Sequence, residues 1–148
     1  MQELKKQILK KCLDLIEQRI STNTKILEDL SASMEGETKS SAGDKFETSR
    51  AMMQADQERY KAIVITAKGL RQQLSVLSLE SADLVRKGSL VITPQGKYFI
   101  AVGLGKIELS ETIYVISNAS PIGRLLMGKS QGDAIVFNGR SLEILEVY

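Results

Sequence analysis

The feature that most constrains this chain is an apolar repeat with heptad spacing in its first half. From Leu9 to Met34, and again from Phe46 to Leu77, the repeat positions step by alternating fours and threes. This spacing is typical of the narrow contact stripe of a coiled coil. The first stripe consists of Leu9, Leu13, Ile16, Ile20, Asn23, Leu27, Leu30 and Met34, and the second of Phe46, Ser49, Met53, Asp56, Tyr60, Ile63, Ala67, Leu70, Leu74 and Leu77.

A small polar segment with Gly36 and Gly43 separates the two stripes and reads as a loop. Two stripes of matched length joined by a short connection fold back on each other most simply as an antiparallel pair. We therefore predict an antiparallel coiled-coil hairpin over residues 1–80, with its tip loop at residues 35–45. A hairpin formed within one chain predicts a monomer.

The second half of the chain has the shorter period of β-strands. Asn138-Gly139 lies between two apolar runs and predicts a tight hairpin, and Thr93 to Gly96 has the composition of a turn. Ser120-Pro121 predicts the start of a helix that Gly128 ends. The predicted strands are residues 90–92, 97–102, 112–116, 134–137 and 141–147. Together these elements predict a small antiparallel α+β domain over residues 84–148, joined to the hairpin by residues 80–88.

Composition excludes several classes of function. The chain has 148 residues, a net charge of only +2 and no His. The weak charge argues against binding nucleic acid through bulk basicity. The lack of His excludes histidine-based acid–base catalysis, the usual catalytic triads and most zinc sites.

The single cysteine, Cys12, excludes an internal disulfide framework. It lies among apolar helical positions, which favours a small buried side chain over a reactive thiol. No secretory apolar run is present at the start, and no apolar stretch approaches the roughly 20 residues that span a bilayer. We expect a cytoplasmic protein with no membrane partner.

Two carboxylates lie close together where the second helix is predicted to begin. Asp44 and Glu47 are three residues apart, close to one helical turn, so both can point the same way and share a hard cation such as Mg²⁺. Mg²⁺ commonly takes only one or two protein carboxylates, so this pair would be half of a metal site that another molecule completes. The alternative is a capping box, in which both side chains satisfy backbone N–H groups, and the two interpretations are compatible.

Ser120, Pro121, Ile122 and Gly123 form a second candidate site. An apolar residue beside a rigid corner and a helix N-terminus suits docking of a protein partner. The same residues also suit ordinary turn and capping chemistry, and their spacing alone does not decide between the two.

The run ISNASPIGRLLMGKSQGD, residues 116–133, resembles a segment of the Gre family of bacterial transcript cleavage factors. The family has SPIGRALLGK, a variable pair and then Gly-Asp. The closing LEILEV, residues 142–147, resembles the family's last strand, and Gly43-Asp44 with Glu47 keeps the spacing of its tip acids. The order of parts also fits over nearly the whole chain, with a helical hairpin first and a domain of the FK506-binding-protein type second.

The resemblance implies a transcription elongation factor that binds RNA polymerase. Ser120 to Gly123 would anchor the C-terminal domain on the polymerase. Asp44 and Glu47 would enter the secondary channel, share the catalytic Mg²⁺ and stimulate cleavage of the nascent RNA 3′ end in backtracked complexes. The chain would have no active site of its own and no tightly bound cofactor.

The sequence departs from the family pattern after Glu47, where Thr48 replaces the family's Asn. The tip is also more basic than the family's. These departures leave open a Gre-like regulator or inhibitor that binds polymerase without stimulating cleavage. An alternative of another class is a structural adaptor, unrelated to transcription, whose apolar stripes pair between chains. Prolyl isomerase activity is disfavoured, because a fold does not carry an activity and the chain is poor in aromatic residues.

Overall fold

The computed structural model describes residues 1–38 and 44–148, apart from the side chains of residues 37, 38 and 44–46. Two long helices precede a small sheet domain that is mostly antiparallel, which confirms the predicted α+β class. The chain forms two compact units: unit 1 comprises Met1–Leu13 and Gln72–Tyr148, and unit 2 comprises Asp14–Arg71. The ends of the predicted hairpin thus belong to the same unit as the sheet.

The two helices extend further toward the predicted loop than their sequences indicate. Helix α1 spans Gln2–Thr38 and α2 spans Asp44–Ser75, so the helical segments include part of residues 35–45. Gly36 is exposed within α1. A glycine costs an exposed helix only about 1 kcal/mol relative to alanine, which is not enough to end it. Residues 39–43 lie outside the described residues.

The two helices of unit 2 pair in an antiparallel direction. The Arg71 guanidinium donates to the Glu17 carboxylate at 2.8 Å, and the Gln57 amide donates to the Ser31 hydroxyl at 3.3 Å. Between these contacts the residue number rises by 14 on α1 and falls by 14 on α2, so both belong to one register. The pairing occurs within one chain, as a hairpin requires.

The predicted contact stripes are buried or partly buried at every position with a described side chain. The most buried side chains on the two helices of unit 2 are Ile16, Ile20, Val64 and Ala67. Near the start of α1, however, Ile8 and Cys12 are fully buried, whereas the predicted Leu9 and Leu13 are only partly so. This part of α1 belongs to unit 1, together with the end of α2 and the sheet, and not to unit 2.

The sheet domain has seven strands in two sheets. The strands are β1 (Leu90–Thr93), β2 (Gly96–Ala101), β3 (Gly105–Glu108), β4 (Thr112–Ser117), β5 (Ala134–Phe137), β6 (Arg140–Glu143) and β7 (Glu146–Val147). Five of them form a sheet in the order β3-β4-β2-β1-β7, and β5 and β6 form a separate hairpin. Helix α3 (Pro121–Leu126) lies between β4 and β5 in the chain.

Side chains from both sheets and from α3 share one apolar core in unit 1. Its buried members are Val85, Val91, Ile100, Leu126, Ile135, Leu142 and Ile144. Tyr98, Ile116, Ile122, Met127 and Val147 pack against it and are partly buried. This core fixes α3 and the β5–β6 hairpin against the larger sheet.

Three features of the sheet differ from the prediction. β2 and β4 run parallel, in register from Lys97 opposite Ile113 to Ala101 opposite Ser117, within a sheet that was expected to be antiparallel. β3 was not predicted, because Ile107 is its single buried residue. The predicted strand at residues 141–147 is divided into β6, which pairs with β5, and β7, which pairs with β1.

Candidate functional site

The predicted tip acids lie in the first turn of α2, which begins at Asp44. The Glu47 side chain is exposed. The Asp44 side chain lies outside the described residues, so the pairing of the two carboxylates stays a prediction, and so does the capping box. Among described residues, no three side chains of the types that bind metals are grouped closely enough to hold an ion.

The Ser120 side chain caps helix α3. Its hydroxyl accepts a hydrogen bond from the backbone N–H of Gly123 at 3.1 Å and donates one to the carbonyl of Ser117 at 2.6 Å. The Ser120 backbone is extended, with φ −66° and ψ 159°, as an N-cap requires, and Pro121 follows in the first helical turn. The predicted start of the helix is confirmed.

Gly123 is buried where α3 passes close to the end of β4. A Cβ atom at this position would lie only 2.0 Å from the carbonyl oxygen of Ser117. Because no side chain fits in that space, the close packing of helix and strand requires glycine here. This steric requirement gives a structural reason for the glycine of the SPIG segment.

The four predicted docking residues therefore have two different roles in the geometry. Ser120 and Gly123 build the corner, through the cap and the close approach. Pro121 is exposed, and Ser120 and Ile122 are partly buried, so these three residues have surface that can contact another molecule. We call the segment Ser117 to Gly123 the α3 corner.

Gly132 and Asp133, which end the run that resembles the Gre family, also have a structural role. The Asp133 carboxylate accepts hydrogen bonds from the backbone N–H of Ser130 at 2.8 Å and from its hydroxyl at 3.2 Å. These bonds, the backbone one first, hold the pKa of the exposed Asp133 carboxyl below its usual value. Gly132 has a φ of +90°, which favours glycine at the turn.

A cleft of about 130 Å³ lies beside the α3 corner. It is lined by Gln95, Tyr98, Ile122, Phe137, Arg140, Ser141 and Leu142. Sequence reasoning identified only Ile122 of this set. The Asn138-Gly139 signal predicted the hairpin that carries Phe137 and Arg140, but it could not show that the hairpin packs beside α3.

The ring of Tyr98 forms a fixed wall of this cleft. It stacks on Tyr114, its parallel neighbour in the sheet, with 5.4 Å between ring centroids and 26° between planes. Burial, and secondarily Tyr114, raises the pKa of the Tyr98 phenol. The hydroxyl therefore stays protonated at neutral pH and can donate a hydrogen bond.

No model of a protein family and no curated relative matches the chain. A solved structure, described as that of the transcription factor Gfh1, aligns over 92% of both chains with 17% identity and a TM-score of 0.37. At that score the likeness carries no argument about function. In the described part of the chain, no helix combines the length and the apolar character needed to cross a membrane.

Proposed function

We propose that this chain is a Gre-like elongation factor that binds bacterial RNA polymerase through the α3 corner and places the end of its helix pair in the secondary channel. The observation that carries the proposal is the way the SPIG segment, within the run of residues 116–133 that resembles the family, builds the α3 corner. Ser120 supplies a cap and Gly123 a contact that no other residue allows. The resembling residue types therefore stand where the local geometry needs them.

The unit 2 helices suit the second half of the proposal. Contacts at Glu17 and Ser31 hold α1 and α2 in one antiparallel register, so α2 runs back along α1. Glu47 is exposed in the first turn of α2. A carboxylate in this position is free to meet groups from another molecule.

The acids Asp44 and Glu47 would hold a Mg²⁺ ion jointly with carboxylates of the polymerase. Held there, the ion would stabilise the attacking and leaving oxygens during hydrolysis of the backtracked RNA. Asp44 and Glu47 would orient the ion and supply additional oxygen ligands to it. The exposure of Glu47 fits a site that a partner completes.

A second candidate is a polymerase regulator that occupies the channel without stimulating cleavage. Its support is the sequence from Thr48 to Met53, which departs from the family pattern directly after Glu47. In this case the helix pair would block the channel, and the carboxylates would have no part in hydrolysis.

Transcript cleavage in stalled elongation complexes tests the proposal. Wild-type protein should bind core polymerase and shorten the RNA of backtracked complexes. The double variant Asp44→Asn, Glu47→Gln should bind equally well but lose the stimulation, because neutral amides are poor Mg²⁺ ligands. Thermal unfolding of both proteins is the control, since equal loss of stability and activity would favour the capping role.

Two other outcomes are informative. Binding without shortening of the RNA, even at raised Mg²⁺ and pH, would identify the non-cleaving regulator. Failure to bind core polymerase would refute the proposed function. A stable dimer that dissociates on substitution of Leu27 or Leu70 would support the adaptor instead.

A further inference from the structure

A second cleft lies in unit 1, where the end of α2 meets the segment that leads to β1. Its volume is about 250 Å³, and we call it the junction cleft. It is lined by Gln73, Val76, Leu77, Ser78, Arg86 and Lys87. The lining includes an arginine and a lysine and no acidic residue, so the junction cleft presents positive charge to solvent.

A third cation, Lys5, is buried within electrostatic reach of the junction cleft. Its side chain is fully buried, and its amine has no hydrogen-bond partner among the described residues. Burial is the main cause of the lowered pKa of this amine, and the positive charge of Arg86 is the second. An apolar residue would fill the same position without the cost of burying an amine, so packing alone gives no reason for a lysine here.

No ion pair in the described part of the chain compensates these three charges. The Arg86 guanidinium donates to the backbone carbonyl of Glu80 at 3.1 Å, which uses one of its N–H donors. Lys87 is exposed and has neither a hydrogen-bond nor an ion-pair partner within residues 1–38 and 44–148. Cations that lie close together repel one another, and a bound anion would remove that repulsion.

The backbone on both sides of the junction cleft is held in place. The Ser89 hydroxyl accepts a hydrogen bond from the Arg86 N–H at 3.0 Å, and the Ser89 N–H donates to the Arg86 carbonyl at 3.0 Å. Gly88 has a φ of +89°, and a Cβ atom there would overlap the carbonyl oxygen of Ser78. The segment that carries the two lining cations therefore passes directly against the segment that follows α2, and this fixed geometry lowers the cost of binding a ligand.

The donors of the junction cleft suit a phosphate group. A guanidinium can bond two oxygens of an oxyanion at once, and a lysine ammonium adds a point charge. A phosphate group carries a charge of about −1.5 to −2 at neutral pH, so it balances several cations better than one carboxylate does. The Ser78 hydroxyl, which accepts from the Glu80 N–H at 3.3 Å, keeps its own proton to donate.

The size of the junction cleft limits the ligand. Its volume is below the roughly 300–1,000 Å³ of typical drug-sized sites, so the ligand is small. A nucleic-acid backbone is bound through a longer series of cations and is a poor fit. Val76, which is 74% exposed, offers an apolar surface beside the cations for the organic part of a phosphate ester.

We propose that the junction cleft binds the phosphate group of a small molecule, with Arg86 and Lys87 at the phosphate oxygens and the buried Lys5 adding its charge. Lys5 acts without touching the ion, because a charge inside the protein is screened little by solvent and is felt across several ångströms. The ligand is inorganic phosphate or a phosphate monoester, which share this chemistry. The site goes beyond the proposed polymerase binding and does not depend on it.

Titration of the full chain with three anions tests the site. Inorganic phosphate, phenyl phosphate and benzoate are each added at about pH 7, with the ionic strength held constant by sodium chloride, and amide chemical shifts are recorded. Both phosphates should shift the amides of Ser78, Arg86 and Lys87 in a saturable way, and benzoate should bind at least tenfold more weakly. Tighter binding of phenyl phosphate than of inorganic phosphate would identify a monoester as the ligand, and equal binding would identify the bare ion.

Two neighbouring lysines supply matched variants. Lys5→Met should weaken binding of inorganic phosphate at least tenfold. Lys6→Met removes the same charge from an adjacent, exposed position and should leave binding within twofold. The loss in Lys5→Met would not reflect unfolding, since removal of a buried, unpartnered amine is expected to stabilise the fold, and thermal unfolding checks this. Arg86→Gln, which removes the guanidinium, should also weaken binding at least tenfold.

Three results would overturn the inference: equal effects of the two lysine variants, equal binding of benzoate and phenyl phosphate, or no saturable shifts at the junction cleft. None of these measurements involves polymerase, so their outcome is separate from that of the cleavage assay.

Discussion

The Lys5 side chain is fully buried, and its ammonium has no hydrogen-bond partner among the described residues. Burial, and secondarily the positive charge of Arg86, lowers the pKa of the Lys5 amine from its usual value. A buried polar group without a partner costs about 1–3 kcal/mol, and a charge costs more. Lys5 therefore weakens unit 1 at every pH at which a lysine in the unfolded chain would be protonated.

The contribution of Lys5 makes the free energy of unfolding increase with pH between the folded and unfolded pKa values of its amine. Above the pKa of an unfolded lysine, Lys5 is neutral in both states and carries no charge penalty. As pH falls below that value, the unfolded chain takes up a proton before the folded chain does, so the contribution of Lys5 to stability declines. Below the folded pKa the penalty is complete and constant.

Replacement of this amine should stabilise the protein. Lys5→Met should raise the free energy of unfolding at pH 7 by at least about 1 kcal/mol, or roughly 2–4 °C in Tm. The gain should shrink as the pH rises through and above 10.5, the ordinary pKa of a lysine, because the wild-type amine then becomes neutral in both states. Thermal unfolding at several pH values measures it.

Lys6→Met is the matched control, because Lys6 is adjacent and exposed. It should change Tm by less than about 1 °C, as surface substitutions usually do. A destabilised Lys5→Met protein, or a gain that does not depend on pH, would contradict this account of Lys5.

The Cys12 thiol, fully buried as the sequence predicted, should be nearly inert in the folded protein. Burial raises its pKa to about 11, from 9.0 in an exposed thiol. Near pH 8 this alone reduces the thiolate, the reactive form, about 100-fold. Labelling with a disulfide reagent at pH 8 should be at least that much slower in buffer than in denaturant, and equal rates would show that α1 opens readily at this position.

Among the elements, the α3 corner depends most on one residue. Gly123→Ala should destabilise unit 1 by about 1–3 kcal/mol, because the new Cβ would lie 2.0 Å from the Ser117 carbonyl oxygen and the helix must move away. Gly103→Ala is the control, since a Cβ there meets no atom within 4 Å. Denaturant unfolding compares the two, and equal midpoints would show that the corner has room to adjust.

Elements that local chemistry determines were predictable from the sequence. The Ser120-Pro121 start of α3 and the Asn138-Gly139 hairpin are both confirmed, because a cap and a tight turn need only neighbouring residues. The parallel pairing of β2 with β4 was not predictable, because it joins segments through a long connection that contains β3.

The same distinction applies to the candidate sites: features that neighbouring residues determine could be predicted, and features that tertiary packing determines could not. The capping role of Ser120 follows from short-range spacing. The cleft does not, since it forms only when the β5–β6 hairpin packs beside α3, and no pattern along the chain relates Arg140 to Tyr98. The burial of Lys5 is the clearest departure from expectation, because a lysine at a helix start is normally solvated.

At the scale of the whole molecule, the two units differ in whether one continuous segment of the chain forms them. Unit 2 is one continuous segment, Asp14–Arg71, whereas unit 1 needs both Met1–Leu13 and Gln72–Tyr148. The final strand, β7, pairs with β1 and so joins the last residues to the first strand of the sheet. Unit 2 thus has the organisation of a segment inserted into unit 1.

This arrangement determines the order in which the two units can fold during translation. Everything that unit 2 requires has been synthesised once Arg71 leaves the exit tunnel, and its helices can pair while the sheet is still being translated. Met1–Leu13 share unit 1 with Gln72–Tyr148, so the packing of this early segment can be completed only after the later one has been translated.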